Sequence, residues 1–153
     1  QIIGKRSQST PQEEQFFENA LVKTGFNFFT SENDDSSYVR LLSSDVVLAV
    51  DSTLAYEMFG RGKRCVFITA RGEAIGDSTI DFCKFASPLE IPESGKFWTN
   101  IFDVTKFEGL LKFALNSSGD EWDKHSLNIR TQLMEFDPDN HKIKKLFAEL
   151  GLR

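Results

Sequence analysis

The run Val46-Val47-Leu48-Ala49-Val50-Asp51-Ser52-Thr53-Leu54-Ala55-Tyr56-Glu57-Met58-Phe59-Gly60-Arg61-Gly62-Lys63-Arg64-Cys65-Val66-Phe67-Ile68 decides the fold class. Val46 to Val50 is continuously apolar, rich in Val and bounded by polar residues. This is the pattern of a strand buried on both faces, as in a parallel sheet. Leu54, Ala55, Met58 and Phe59 then share one face of a helix over 52–61, and Gly62 closes it. Arg64 to Ile68 is the next buried strand.

The same alternation extends towards the N-terminus. Ile2-Ile3 reads as a short strand. Thr10-Pro11-Gln12-Glu13 has the capping-box signature of a helix start. Phe16, Phe17, Ala20 and Leu21 continue that helix, and Gly25 stops it. Phe26 to Phe29 is strand-like. Ser31 to Asp35 is a turn cluster, with Asp35 or Ser36 capping a short helix through Leu42. Residues 1–69 therefore predict an α/β sandwich with a parallel sheet. Ala70 to Asn100, with Pro88, Pro92, Gly72, Gly76 and Gly95, reads mostly as loop; Ile80, Phe82 and Phe85 mark at most a short irregular element. Helices follow at about 104–116, with Val104, Phe107, Leu111, Ala114 and Leu115 on one face, then at 119–134 and at about 139–150. The last carries Ile143, Leu146, Phe147 and Leu150, with Gly151 as its stop.

Composition bounds the function. The chain has 153 residues, enough for one core, and 40% of them are hydrophobic. Its 15 Phe predict a core in which most of them sit. Against 23 Asp+Glu stand 18 Lys+Arg, a net charge of −5 that disfavours nucleic acid as a partner. No apolar run approaches the ~18 residues of a membrane span. The N-terminus has no signal-peptide core and no initiator Met, the expectation for an excised or processed piece. Only Cys65 and Cys83 occur. Cys65 reads as a small buried hydrophobe, and the pair favours a reducing compartment.

In an open parallel sheet, ligands bind beyond the carboxyl ends of the strands. There, Asp51-Ser52-Thr53 joins a buried strand directly to a helix. Free backbone N–H groups and the positive helix end favour a phosphate, and the Ser52 and Thr53 hydroxyls add donors. Glu57 lies one turn beyond Thr53, where a carboxylate accepts two hydrogen bonds from a ribose diol. The plain alternative is an unliganded cap, since Asp, Ser and Thr are ordinary N-cap residues. Asp51 either turns away to cap or orients another group in the crevice. Lys5-Arg6 after the first strand, and Arg71 after the fourth, either close on a diphosphate or are solvated surface cations. In Gly95-Lys96-Phe97-Trp98-Thr99-Asn100, Trp98 with Thr99 and Asn100 lines the ligand crevice, or Trp98 plugs the end of the core. His125 and His141 are isolated, so neither zinc nor a histidine base is expected.

Two other classes fit poorly. A phospho-receiver would use Asp51, but it needs an acidic pair where Lys5-Arg6 stands. A classical dinucleotide fold needs its glycine-rich turn after a strand, whereas Gly60-Arg61-Gly62 ends a helix.

Ser44 to Lys63 resembles the donor-binding signature of bacterial GT-B glycosyltransferase-like proteins. More narrowly, it is similar to a family of surface carbohydrate (O-antigen or capsule) biosynthesis proteins with a "DSTLGYEALARGK" segment, an Arg-containing loop and a "GPFWTN" segment. Here these correspond to Asp51 to Lys63, to Arg71, and to Gly95 through Asn100. Ala55 stands for the usual Gly, and Lys96 for Pro, which loosens that loop. The ordered match runs over about 44–100.

The resemblance implies a three-layer Rossmann-like domain over 1–153, of GT-B C-terminal-half type with extra C-terminal helices, from a longer two-domain protein. It implies that Ser52 and Thr53 hold the phosphates of a nucleotide-sugar donor and Glu57 its ribose. Arg71, with Lys5 or Arg6, would stabilise the leaving diphosphate. No metal or cofactor is implied. The catalytic base and acceptor site would lie in the missing N-terminal domain, leaving this piece inactive alone. The parent would be a cytoplasmic glycosyltransferase, or one at the inner face of the cytoplasmic membrane, acting on a glycan or lipid-linked acceptor. The alternatives are a UDP-sugar 2-epimerase-like domain and a non-catalytic nucleotide-binding or assembly module.

Overall fold

The computed structural model describes residues 2–3, 12–22, 24–29, 34–50, 52–69 and 84–152. It divides into two compact units, Gln1–Ser44 and Asp45–Arg153.

In the first unit, β1 (Ile2–Ile3) pairs in parallel with β2 (Phe28–Phe29), and α1 (Glu13–Ala20) lies between them in sequence. Phe17 connects the helix to the strand, its ring 5.9 Å from that of Phe28. Helix α1 begins later than the capping-box pattern predicts. Gln12 is the cap, because its carbonyl accepts the first ladder bond, from Phe16 N–H at 3.0 Å. Thr10 and Pro11 lie outside the described residues. Gly25, at φ +63°, takes the left-handed conformation expected of it, after a turn that follows the helix. Helix α2 (Asp34–Ser43) starts ahead of the expected caps, and its Arg40 guanidinium sits 3.7 Å from the centre of the Phe29 ring.

The second unit is an α/β assembly on a parallel three-stranded sheet. Its strands β3 (Val46–Ala49), β4 (Arg64–Ile68) and β5 (Trp98–Thr99) run in that order. Val46 faces Arg64 and Ala49 faces Phe67; Phe67 in turn faces Trp98. Helix α3 (Thr53–Gly60) crosses from β3 to β4, buries Ala55, Met58 and Phe59, and ends at Gly62 with φ +85°. Three helices follow β5: α4 (Val104–Asn116), α5 (Gly119–Leu133) and α6 (His141–Glu149).

Burial corrects three expectations. The two-faced strand is β4, where Cys65, Val66 and Phe67 are all buried, and not β3, where Val47 and Ala49 are buried but Leu48 is 51% exposed. Among the described strands of this unit, β4 has a neighbour on each side and β3 on one side. The buried stripe of α4 is centred on Leu110 and Ala114, with Phe107 and Leu111 half-buried; Val104 and Leu115 are exposed. That face is set by packing on β4 and β5, which the helical period alone does not locate. Most Phe are not in the core either. Phe59, Phe67, Phe85 and Phe97 are fully buried, whereas Phe16, Phe102, Phe136 and Phe147 are exposed.

The core is an aromatic cluster. Phe67 and Phe85 stack at 4.5 Å, Phe59 lies 5.2 Å from Phe97, and Phe97 touches Trp98 at 4.9 Å and Trp122 of α5 at 5.4 Å. Strand β5 falls within a stretch that reads as loop. Two residues are too few to carry an alternation of their own, and only pairing with β4 makes them a strand.

Candidate functional site

The carboxyl edge of the second unit's sheet is formed by the ends of β3, β4 and β5. At the first, Ser52 has extended backbone (φ −104°, ψ 118°), and its carbonyl accepts from Ala55 N–H at 3.1 Å and Tyr56 N–H at 3.4 Å. The helix therefore starts at Thr53, four positions after Ala49, the last residue of β3. Ser52 makes no side-chain capping bond. It is half-buried and Thr53 is exposed. A helix start leaves its first N–H groups without intrahelical acceptors. The joint thus combines first-turn donors with two hydroxyls, one of them known not to cap. Glu57 follows one turn later, half-buried.

The ends of β4 and β5 are tied to the returning chain. Thr69, buried just past β4, donates its hydroxyl to Asn100 Oδ1. Phe85 N–H donates to both, at 3.0 Å to Thr69 Oγ1 and 2.9 Å to Asn100 Oδ1. The next amide, Ala86 N–H, donates to Tyr56 Oη at 3.1 Å. Tyr56 stacks on Phe85 at 5.7 Å and 12°, and packs against Phe67 at 4.9 Å. Residues 84–86 are thereby fastened to α3, to the end of β4 and to the end of β5. Beside them, Lys84, Phe85, Ser87, Glu93 and Asn100 line an open pocket of about 250 Å³, spanned by a 2.9 Å Lys84–Glu93 ion pair.

Of the residues singled out by sequence, Ser52, Thr53 and Glu57 stand at the β3–α3 joint. Trp98, Thr99 and Asn100 lie at the end of β5, two strands away on the same sheet. Trp98 occupies the core, the second of its two placements, with Nε1–H donating to Pro92 O at 3.0 Å. Thr99 is fully buried, and its hydroxyl is engaged with Ser94 Oγ at 3.0 Å and with the Ile101 backbone. Lys5, Arg6, Asp51 and Arg71 lie outside the described residues. Thr69 and Tyr56 are the residues whose role sequence reasoning missed. Tyr56 had a signal, as the one polar-tipped aromatic on an otherwise apolar helix face; Thr69 had none.

Cys65 is not a nucleophile at neutral pH. Burial pushes its thiol up to about 12, outweighing the opposing pull of the Lys63 ammonium. Among the described residues, no group of three or more His, Cys, Asp or Glu is placed to hold a metal, and no helix is long and apolar enough to cross a membrane.

No curated protein and no solved structure matches the chain. One family profile does match, over residues 1–150, and its description is "putative O-antigen biosynthesis protein". Coverage of nearly the whole chain shows that this protein belongs to that family, whose name points to O-antigen biosynthesis.

Proposed function

We propose that the chain is the nucleotide-sugar donor-binding half of a GT-B-type glycosyltransferase that acts in O-antigen assembly. The observation that carries this reading is the β3–α3 joint. A parallel strand ends at Ala49, a helix begins at Thr53 with Ser52 as its cap residue, and Ser52 does not spend its side chain on capping. A diphosphate there would accept bonds from the first-turn N–H groups and from the Ser52 and Thr53 hydroxyls, each charge-assisted bond contributing about 1.5–3 kcal/mol. Glu57 would receive the ribose diol one turn along. The sequential parallel order β3-β4-β5 is that of one flank of a doubly wound sheet, which binds ligands at this edge. Arg71, Lys5 and Arg6 would meet the negative charge that develops on the leaving diphosphate as the sugar is transferred. Asn100, half-buried just past β5, would form the rigid end of the crevice. The catalytic base and the glycan or lipid-linked acceptor belong to the N-terminal half of the parent.

A thermal-shift screen against UDP, GDP, CDP, CMP and ADP tests this. A nucleotide at about 100 times its Kd stabilises by about 2.7 kcal/mol, roughly 5–10 °C for a chain of this size. The expected result is a shift with one base that disappears in Ser52→Ala/Thr53→Ala. A shift that survives the double substitution removes the joint from the site. No shift with any nucleotide, in this chain and in the full-length protein alike, overturns the reading.

A further inference from the structure

A groove of about 280 Å³ in the second unit shares no lining residue with the pocket beside Lys84. One wall is the turn Ser94-Gly95-Lys96. The other is the face of α4 that carries Lys106, Gly109, Leu110 and Phe113, spaced i, i+3, i+4 and i+7. The two lysines cross the groove in opposite directions. Lys106, on the helix, reaches the turn, with Nζ 3.5 Å from Ser94 Oγ. Lys96, on the turn, reaches the helix, with Nζ 5.7 Å from the centre of the Phe113 ring. Both ammonium groups therefore stand over a floor of buried Leu110 and half-buried Phe113.

No carboxylate answers them. Among the described residues neither lysine is in an ion pair, and no acidic side chain lines the groove, in a chain whose net charge is −5. The acids nearest in sequence are engaged elsewhere. Glu108 lies about 150° round the helix from the middle of the lining face, and pairs with Lys112 at 3.7 Å. Asp103 accepts from Lys106 N–H as the cap of α4, and Glu93 pairs with Lys84. From α5, Phe113 meets Trp122 and His125, neither of them an anion.

Gly109 is an independent observation. A glycine inside a helix is destabilising relative to alanine. Gly60 and Gly95 are crowded by Met134 and Trp98, Gly25, Gly62 and Gly151 have positive φ, and Gly119 opens its helix. Gly109, in the interior of α4, has none of these reasons, because a Cβ there would meet nothing within 4 Å. Its missing side chain keeps the groove open. Two ammonium groups and a hydroxyl suit an oxyanion, which lysine meets as a point charge whether it is phosphate or carboxylate. Leu110 and Phe113 suit an apolar face. The volume falls just under the roughly 300 Å³ at which small-molecule sites begin, enough for one ring and not for a dinucleotide.

We infer that this groove binds a compact organic anion, a phosphate or carboxylate group on a body about the size of one sugar ring. The oxyanion lies between Lys96, Lys106 and Ser94, and the ring lies on Leu110 and Phe113. The inference does not rest on the donor site. Amide chemical-shift titration of the 153-residue chain with glucose 1-phosphate, glucuronate, glucose and inorganic phosphate tests it. The expected result is saturable shifts at residues 94–96 and 106–113 with an anionic sugar, the tighter of the two naming the oxyanion. Glucose and inorganic phosphate should bind at least about tenfold more weakly. Lys96→Gln/Lys106→Gln should weaken binding about tenfold, since exposed ion pairs are worth up to about fivefold each. Gly109→Leu should abolish it with the thermal midpoint unchanged or raised, because leucine is the better helix former and its Cβ enters open space. Saturable shifts with neither anionic sugar overturn the inference, as does binding that survives Gly109→Leu. Equal affinity for glucose or for inorganic phosphate overturns it too, the latter leaving a bare ion site. Shifts confined to residues 52–57 overturn it while leaving the donor joint standing.

Discussion

Gly95 is dictated by a ring. A Cβ on it would lie 2.0 Å from Trp98 Cη2 and 2.1 Å from Cζ3, and the ring cannot withdraw. Trp98 Nε1–H is bonded to Pro92 O, its carbonyl accepts from Gly95 N–H at 2.9 Å, and its ring packs on Phe85 and Phe97. Gly95→Ala should therefore destabilise by about 1–3 kcal/mol, the usual cost of overpacking. The check is a lower urea midpoint together with a red-shifted Trp emission; an unchanged midpoint would mean that the ring has room to move. The segment through Asn100 acquires a physical reading residue by residue. Gly95 leaves space for Trp98, Phe97 and Trp98 fill the core, Thr99 closes the tight turn with Ser94, and Asn100 pins Phe85. The sequence marked the segment as unusual for a loop, but the partners of Phe97 and Asn100, which include Phe59, Phe85 and Trp122, are far away in the chain.

At the scale of elements, the ends of helices are where side chains decide most. The α5 start was legible: Ser118 accepts from Glu121 N–H at 3.1 Å, an N-cap. The end of α4 was not. Its last carbonyls are served by Arg64 at the start of β4, whose Nη1–H donates to Ala114 O at 2.8 Å and Nη2–H to Ser117 O at 2.7 Å. A cation at a helix C-terminus also meets the dipole favourably. Arg64→Met keeps the stem and removes the donors, and should cost about 1.5–3 kcal/mol. Arg64→Lys should recover only part of this, because one ammonium cannot fork to two carbonyls as a guanidinium does. Urea unfolding with an unchanged m value is the measurement. Equal stability of wild type and the Met variant would show that water serves those carbonyls as well.

At the scale of the molecule, the described buried apolar side chains all lie between Val47 and Trp122. The unit Asp45–Arg153 thus carries a core of its own, and produced alone it should unfold in one cooperative transition followed by Trp fluorescence. A gradual, featureless melt would show that this core needs the rest of the chain. Sequence alone determined the α/β class, the order of strand and helix from 46 to 68, the three C-terminal helices in outline, and the strand-to-helix joint at Ser52. All of these are local signals, written in periods of a few residues and in the chemistry of caps and stops. Tertiary structure decided which strand is buried on both faces, which stripe of α4 faces inwards, that Trp98-Thr99 is a strand, and that Tyr56, Thr69 and Asn100 fasten residues 84–86. Each of these depends on a partner at least 15 residues away in the chain, as in the bonds that Phe85 and Ala86 donate, and no window of neighbouring residues contains both halves of such a contact.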